Sequence, residues 1–253
     1  MTEPRSILSL TGADVIPFLQ GLVSNDLRHL DRSAVHTALL TPQGKYLADF
    51  FVIGRPDGAL IDVDARLEQD LVRRLSMYKL RADVTIAPSP EGVICGTGPA
   101  PDGALSDPRH PGMGWRLYGT DLPPQPDGID WDALRVAHVV PATLVELIPN
   151  ESYILEAGFE RLHGVDFRKG CYVGQEVTAR MKHKTELKRG LVRVAIAGTP
   201  PAPGTAIETG AGREVGRLTT VSGQAGLAML RLDHAAEDLH AGGARITLGP
   251  DPA

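Results

Sequence analysis

The sequence predicts an α+β protein with a mixed body followed by a small C-terminal β-barrel. Within the body, short apolar runs predict strands, and apolar residues at i, i+4, i+8 and i+11 predict a helix over 66–81. Beyond residue 188 the chain changes to short β-like pieces separated by glycine and proline. We therefore divide the chain into a body of residues 1–187 and a barrel of residues 188–253.

Each element follows from its local pattern. An aspartate before an apolar run predicts a helix start at residues 14 and 130, and Pro141 predicts a helix end. Segments rich in glycine, proline and aspartate predict loops at 97–114 and 119–128. The predicted helices are 14–22, 66–81, 131–140 and 174–185. The predicted strands are 5–10, 35–40, 46–54, 59–63, 84–87 and 92–96 in the body, and 191–196, 205–208, 214–221, 226–232 and 244–248 in the barrel.

The charge of the chain is mildly acidic overall and uneven along its length. The 26 basic and 31 acidic residues give a net charge of −5 at pH 7, which argues against general nucleic-acid binding. Residues 161–193 form an exception, with basic residues well in excess of acidic ones. This basic stretch is either a solvated helix face or a binding surface for an anionic partner.

The cysteine content indicates a reducing compartment. Cys95 and Cys171 are the two cysteines, and they form neither a CxxC pair nor a disulfide framework. The N-terminal residues lack the apolar region of a secretory signal, and no apolar run approaches the length of a membrane span. These features predict a cytoplasmic protein without a membrane anchor.

The segment 169–176 carries the clearest chemistry. Cys171 lies between Gly170 and Gly174, which permit a sharp turn that presents the thiol. A neighbouring cation lowers the pKa of a thiol, so Lys169 is predicted to hold Cys171 as a reactive thiolate. A lone cysteine can equally be a small buried hydrophobic residue, which is the interpretation we give to Cys95 in its apolar strand.

The run KGCYVGQE at 169–176 resembles the signature of the YgfZ family, whose eukaryotic relatives act in mitochondrial iron–sulfur cluster assembly. The resemblance extends in the same order over nearly the whole chain. It implies the fold of the glycine-cleavage aminomethyltransferases (GcvT-like): a folate-binding body of two packed α+β subdomains, the second roughly 48–112, then a β-barrel. It also implies a monomer. The other matching stretches are 18–21, 24–27, 41–45, 78–81, 212–220 and 227–231.

Two departures from the superfamily pattern concern the catalytic acid, which bears on aminomethyl transfer, and the carboxylate for the pterin, which bears on folate binding. The superfamily places an adjacent acid pair after a glycine-rich turn, and here the catalytic position is Ala48, with only Asp49 retained. Transfer to folate needs an acid or base near the reacting nitrogen, which alanine does not supply. The glutamate that pairs with the pterin ring is replaced by Ala137. The resemblance therefore implies a protein with little or no catalytic turnover.

The same resemblance implies tetrahydrofolate or a derivative as ligand, and no tightly bound metal in the isolated protein. Cys171 would be a possible single ligand to an iron–sulfur cluster shared with a partner, and the basic stretch could receive a polyglutamate tail. Glu146, Glu151 or Glu176 could replace the missing pterin carboxylate, and Trp131, Tyr153 or Tyr172 could stack on the ring. The implied folate-binding residues are Asp49, Arg135, Tyr172, Gln175, Glu176 and Arg180.

Three functions follow as hypotheses. The first is a folate-binding accessory protein for iron–sulfur cluster assembly or repair, which partners assembly proteins and cluster-containing clients, including enzymes that modify tRNA. The second is a tetrahydrofolate-dependent aminomethyl or methyl transferase with a relocated acid. The third is a tRNA-binding protein that uses the basic stretch, which the acidic net charge disfavours.

Overall fold

The computed structural model describes residues 4–28, 30, 33–184 and 186–249. It has the predicted α+β class, with two sheets and the helices in the body and a closed barrel at the C-terminal end. The helices are α1 Val15–Gln20, α2 Glu68–Lys79, α3 Trp131–His138 and α4 Gln175–Lys184. The body strands are β1 Arg5–Thr11, β2 Ala34–Leu40, β3 Tyr46–Arg55, β4 Gly58–Asp64, β5 Thr85–Pro88, β6 Gly92–Gly96, β7 Leu105–Ser106 and β8 Trp115–Gly119. The barrel strands are β9 Arg189–Ala197, β10 Ala206–Thr209, β11 Glu214–Ser222, β12 Ala225–Arg231, β13 Leu239–Ala241 and β14 Ala244–Leu248.

A five-stranded antiparallel sheet forms the centre of the body. Its strand order is β2-β3-β4-β1-β5, and β3 and β4 are buried along most of their length. Large apolar side chains such as Leu8, Phe50 and Ile61 fill the main core under this sheet. Burial on both faces explains why these strands read as nearly continuous apolar runs rather than as a strict alternation.

A second sheet covers part of a region that the sequence predicts as loop. β6, β8 and β7 pair in that order, although β7 lies within the predicted loop 97–114 and β8 follows it directly. β7 has only two residues, and glycine and proline flank it, so its local signal is that of a loop. Pairing with β8 decides its conformation.

The sequence predicts only some of the side-chain hydrogen bonds at the helix ends. Asp130 caps α3 as predicted, because its side chain accepts a hydrogen bond from the Ala133 backbone N–H at 2.9 Å. Asp14 precedes α1 but caps nothing; its Oδ2 instead accepts from the Asp83 backbone N–H at 2.8 Å. α2 carries acids in its first turn and Lys79 in its last, as the helix dipole favours.

The six C-terminal strands close into a barrel in the order β10-β11-β12-β9-β14-β13. Its interior is a separate apolar cluster that includes Val194, Leu218 and Leu230. α3 packs on the outside of the barrel, where Val136 and Val139 meet Leu191 and Leu227. This helix therefore joins the two parts of the molecule.

The predicted domain limits are not all element boundaries. β9 begins two residues after 187, but residue 48 lies inside β3 and residue 112 inside a 3-10 turn, Pro111–Met113. The limits of the second subdomain stay a prediction. Within the described part of the chain, no helix is both long and apolar enough to cross a membrane.

Candidate functional site

A cavity of about 500 Å³ opens between the two body sheets, α3 and the barrel. Its lining combines apolar residues, with Trp131, Val145 and Val221 among them, and a set of arginines. The arginines come from separate segments of the chain; they are Arg5, Arg66, Arg109, Arg116 and Arg135. We call the part around Phe51, Arg5, Arg109 and Arg116 the cavity floor.

Three guanidinium groups surround one aromatic ring in the cavity floor. The guanidinium carbons of Arg116, Arg109 and Arg5 lie 4.1, 4.9 and 5.7 Å from the centroid of Phe51. These distances are within the range of cation–π attraction, which is strengthened when the groups are desolvated. The ring therefore helps to hold three like charges in a small volume.

Asp62 and Asp107 supply the counter-charges of the cavity floor. Arg5 Nε donates to Asp62 Oδ1 at 2.6 Å, and Arg116 Nη2 donates to Asp62 Oδ2 at 2.5 Å. The Tyr118 hydroxyl also donates to Asp62 Oδ2, at 2.8 Å. Burial by itself would raise the pKa of Asp62, but Arg116 and Arg5 outweigh it and lower that pKa. Asp62 is therefore a fully buried anion whose charge depends on two arginines.

Two further ion pairs form the walls of the cavity. Arg66 Nε donates to Asp64 Oδ1 at 2.9 Å, and Arg135 Nη1 donates to Glu146 Oε2 at 3.0 Å. Glu146 Oε1 accepts from the Thr220 hydroxyl of β11 at 2.6 Å. Glu146 therefore links the body to the barrel beside the cavity, with its carboxylate fully occupied.

We expect acid to weaken the fold through Asp107. Burial alone would raise its pKa, but ion pairs with Arg109 and Arg116 lower it to about 2, from an ordinary value of 3.8. The folded protein thus retains the charge more strongly than the unfolded chain does. The stabilisation is complete above about pH 5 and is lost progressively as the pH falls towards about 1, by about 2 kcal/mol in total.

Urea unfolding between pH 6 and pH 2.5 measures this effect. The variant Asp107→Asn should be less stable than the unmodified chain at pH 6, and the difference between them should shrink as the pH falls. A difference that stays constant over this range would contradict the assignment.

Asp49 is not a lining residue of the cavity, although it is predicted to bind folate. Its Oδ1 accepts from the Tyr46 hydroxyl at 2.8 Å and from the Thr143 hydroxyl at 2.9 Å. Its Oδ2 pairs with His36 Nε2 at 3.1 Å. Burial favours the neutral acid, yet these partners lower the pKa of Asp49. The carboxylate is thus engaged within the protein, because three side chains already surround it.

Cys171 is exposed, in a loop just before α4. Gly170 precedes it with a φ of +75°, a backbone conformation that favours glycine. Gly174 allows the loop to pass the turn at 41–44, since a Cβ there would lie 2.6 Å from the Thr41 carbonyl oxygen. The segment therefore turns sharply and leaves its thiol at the surface.

The prediction that Lys169 stabilises a thiolate at Cys171 is wrong, because the ammonium of Lys169 is hydrogen-bonded elsewhere. The side chain is buried, and its ammonium donates to the backbone carbonyl of Gln20 at 2.7 Å and to that of Val23. Burial lowers the pKa of Lys169 to about 8. The ammonium is directed into the end of α1, where carbonyls lack helical partners. Lys169 therefore anchors the loop of Cys171 instead of stabilising a thiolate.

A second set of hydrogen bonds fastens the same segment to residues 24–25. The Ser24 hydroxyl donates to the Gly164 carbonyl at 2.6 Å, and the Asp166 backbone N–H donates to the Ser24 carbonyl at 3.0 Å. Asn25 Nδ2 donates to the His163 carbonyl at 2.6 Å. Two motifs that lie about 140 residues apart are thus joined, and the chain is anchored a few residues before Cys171.

The structure separates most of the other predicted folate-binding residues from the cavity. Tyr172 is buried in the main core, Gln175 is half-buried, and Glu176 and Arg180 are exposed on α4. None of these four is among the lining residues, whereas Arg135 is. The cavity and the signature segment are therefore two distinct places in the protein.

The aromatic candidates for stacking lie in different places, and the candidate metal ligands are not brought together. Trp131 lines the cavity. Tyr153 lies elsewhere, and the Lys45 ammonium is 3.5 Å from the centroid of the Tyr153 ring. His163 and His183 do not gather around Cys171: the described residues contain no group of three histidine, cysteine, aspartate or glutamate side chains placed to hold a metal ion.

The sequence interpretation missed Arg5, Arg66, Arg109 and Arg116 as site residues. A signal was present for two of them, since Arg66 and Arg109 each end an Asp-x-Arg triplet, at 64–66 and 107–109. In both, the arginine backbone N–H and Nε bond to Oδ1 of the aspartate two residues earlier. The triplet predicts a pre-organised guanidinium, though not the cavity that it faces.

Comparison with known proteins first identifies the fold class. The crystal structure of the glycine cleavage system aminomethyltransferase T from Bartonella henselae superimposes with a TM-score of 0.76 and 11% identity, over 98% of this chain and 83% of that one. The family model "CAF17, C-terminal beta-barrel domain" matches residues 188–252. The molecule is thus an aminomethyltransferase-type fold with a CAF17-type barrel.

Similar sequences then define the family. The mouse "Iron-sulfur cluster assembly factor IBA57, mitochondrial" is 32% identical over 94% of this chain and 78% of its own length. The human protein of the same name is 30% identical over the same shares, and a homologue from Mycosarcoma maydis is 33% identical over 78% of this chain and 57% of its own. The chain belongs to the IBA57 family, which confirms the resemblance to YgfZ proteins.

The expectation of a cytoplasmic protein is wrong. The mouse, human and Mycosarcoma maydis relatives are all named as mitochondrial proteins. Free thiols indicate a reducing compartment, but they do not distinguish the cytoplasm from other reducing compartments.

Proposed function

We propose that this chain is an iron–sulfur cluster assembly factor in which Cys171 supplies one thiolate to a cluster carried by a partner protein. The observation that supports this most directly is the exposure of Cys171 on an anchored loop. The names of its relatives, which are iron–sulfur cluster assembly factors, agree with this role.

One exposed thiol is suited to a shared ligand. Clusters of the [2Fe–2S] and [4Fe–4S] types are commonly held by four cysteines, so Cys171 would contribute one ligand and a partner the others. Lys169 and Ser24 hold the loop from the inside, which limits the entropy lost when the thiol binds. The clients would be cluster-containing enzymes, including those that modify tRNA.

We infer a reduced folate as the ligand of the cavity, held by its carboxylates. Five lining arginines suit the glutamyl carboxylates, and Trp131 offers a ring for stacking. The residues fit the pterin less well, because the N–H edge of a pterin needs a carboxylate and Asp49 and Glu146 already have partners. Ala48 is buried in β3 and provides no acid, so we propose no group transfer.

Complementation tests the proposed function. Human cells depleted of their own IBA57 should regain the activity of cluster-dependent mitochondrial enzymes when they produce this chain in mitochondria. The amount of each enzyme should be measured alongside its activity, so that cluster loading is separated from expression. Failure to restore activity by a chain that accumulates in folded form would contradict the proposal.

A further inference from the structure

Three large apolar side chains are exposed together at the end of α2. Met77, Tyr78 and Leu80 have relative exposures of 61%, 39% and 87%. The other exposed large apolar side chains in the described part of the chain lie elsewhere; they are Leu144, Val145 and Leu248. Exposed apolar groups that cluster mark contacts with other molecules, whereas single ones need no explanation. We call Met77, Tyr78 and Leu80 the α2-end patch.

The backbone at Leu80 is in a conformation that leucine rarely adopts. α2 ends at Lys79, and Leu80 follows with a φ of +43°, in the region that favours glycine. The Ala82 backbone N–H donates to the Lys79 carbonyl at 2.8 Å and closes this turn. The Leu80 side chain is largely exposed, so packing within the described chain does not account for a leucine at this position.

Two cations flank Leu80 directly. Lys79 and Arg81 form no ion pair with any residue that the structure describes. Three carboxylates lie near this turn and already have partners, which are two arginines for the first and backbone N–H groups for the others; they are Asp70, Asp83 and Asp14. Lys79 and Arg81 are thus the unpaired charges beside Leu80, and they complement acidic side chains on a partner.

The α2-end patch and Cys171 lie near opposite ends of α1. The Asp83 carbonyl accepts from the Asp14 backbone N–H at 3.2 Å, which places the segment after α2 beside the start of α1. Lys169, two residues before Cys171, donates to the Gln20 carbonyl at the end of α1, at 2.7 Å. A helix of six residues is about 9 Å long, and a standard interface covers about 800 Å² on each protein. One partner can therefore cover both ends.

We propose that the α2-end patch is a second contact for the protein that carries the cluster. That protein presents an apolar surface to the patch and acidic side chains to Lys79 and Arg81. Methionine, tyrosine and arginine are among the residue types enriched in protein–protein interfaces. Exposed residues, Pro17 and Gly21 among them, continue the surface towards Cys171. This partner is the one that the proposed function requires, so its contact here rests on that function.

Titrated complementation tests the contact in human cells depleted of their own IBA57. The amount of chain in mitochondria is varied, and the amount that restores half of the cluster-dependent enzyme activity is measured. Leu80→Asn should raise this amount about tenfold, since burial of a leucine side chain contributes at least that much to affinity. Asparagine tolerates a positive φ, so thermal stability should not fall. Leu248→Asn, at the exposed leucine of the barrel, is the matched control and should change neither quantity.

Charge reversal tests the chemistry of the partner. Arg81→Glu places a carboxylate opposite the acidic side chains of the partner, so it should raise the half-restoring amount by about tenfold or more. Arg213→Glu, at an exposed position between β10 and β11, is the matched control and should leave that amount unchanged. An unchanged amount for Arg81→Glu would contradict an acidic partner.

Photo-crosslinking identifies the occupant without relying on restored activity. p-Benzoylphenylalanine replaces Leu80 or Leu248 in the full chain in mitochondria, and Cys171 is linked separately with a bismaleimide. Position 80 should capture the same protein as Cys171, position 248 should not, and Arg81→Glu should reduce the capture from position 80.

Two results would overturn the proposal. One is that position 80 captures a different protein, a second copy of this chain or nothing. The other is that Leu80→Asn restores enzyme activity as efficiently as the unmodified chain. If the unmodified chain restores no activity, the proposed function fails by itself, and the cross-links still decide whether position 80 and Cys171 contact one partner.

Discussion

Replacing Cys171 with serine should abolish the restoration of cluster-dependent enzyme activity while leaving the stability of the chain almost unchanged. The side chain is exposed, and surface substitutions of this kind usually change the free energy of unfolding by less than about 0.5 kcal/mol. A serine hydroxyl does not provide the thiolate that iron requires in a cluster. Complementation and thermal melting of Cys171→Ser measure the two effects separately.

Thiol titration provides the control for this variant. Cys95 is buried in β6, and burial raises the pKa of its thiol. In the unmodified chain one thiol should therefore react quickly with a disulfide reagent, and the second should react only as the protein unfolds. Cys171→Ser should lose the fast reaction alone. A variant that lacks the fast thiol and still restores full enzyme activity would exclude Cys171 as a cluster ligand.

Asp62→Ala should produce the largest loss of stability among the substitutions considered. The carboxylate is fully buried and balances Arg5 and Arg116. Removing it leaves two guanidinium groups without their counter-charge, and breaking a buried ion pair in this way costs about 3–5 kcal/mol. The Tyr118 hydroxyl loses an acceptor as well. Urea unfolding at pH 7 measures the change.

Glu214→Ala is the matched surface control. Glu214 pairs with Arg217 at 3.0 Å, but both side chains are more than half exposed. An exposed pair contributes about 0.2–1 kcal/mol, so the control should change the unfolding midpoint only slightly. Equal losses from Asp62→Ala and Glu214→Ala would show that the cavity floor does not stabilise the fold through this ion pair.

Much of the fold could be predicted because its signals are local. The spacing of apolar residues over α2 and the aspartate before α3 specify those helices without reference to the rest of the chain. β3 and β4 are long apolar runs, and the sequence predicts them as strands equally clearly. The sequence does not predict β7, β8 or β13. β7 and β13 have two and three residues and carry almost no periodicity of their own, and β8 lies between two segments that are predicted as loops.

The cavity could not be predicted, because it is assembled from distant segments. Arg5 belongs to β1, Arg116 to β8 and Arg135 to α3, and no spacing in the sequence connects them. The substitutions at Ala48 and Ala137 could be seen from the family pattern. The set of arginines around Phe51 becomes visible only when the sheets pack together.

The sequence by itself determined the α+β class, the barrel and the family, since these follow from local periodicity and from the order of residues in 169–176. Tertiary structure decided where adjacent side chains point. Lys169 and Cys171 are two residues apart, yet the first is buried and the second exposed. The physical reason is that the carbonyls of Gln20 and Val23 need a donor in the interior, and only the folded chain brings them to Lys169.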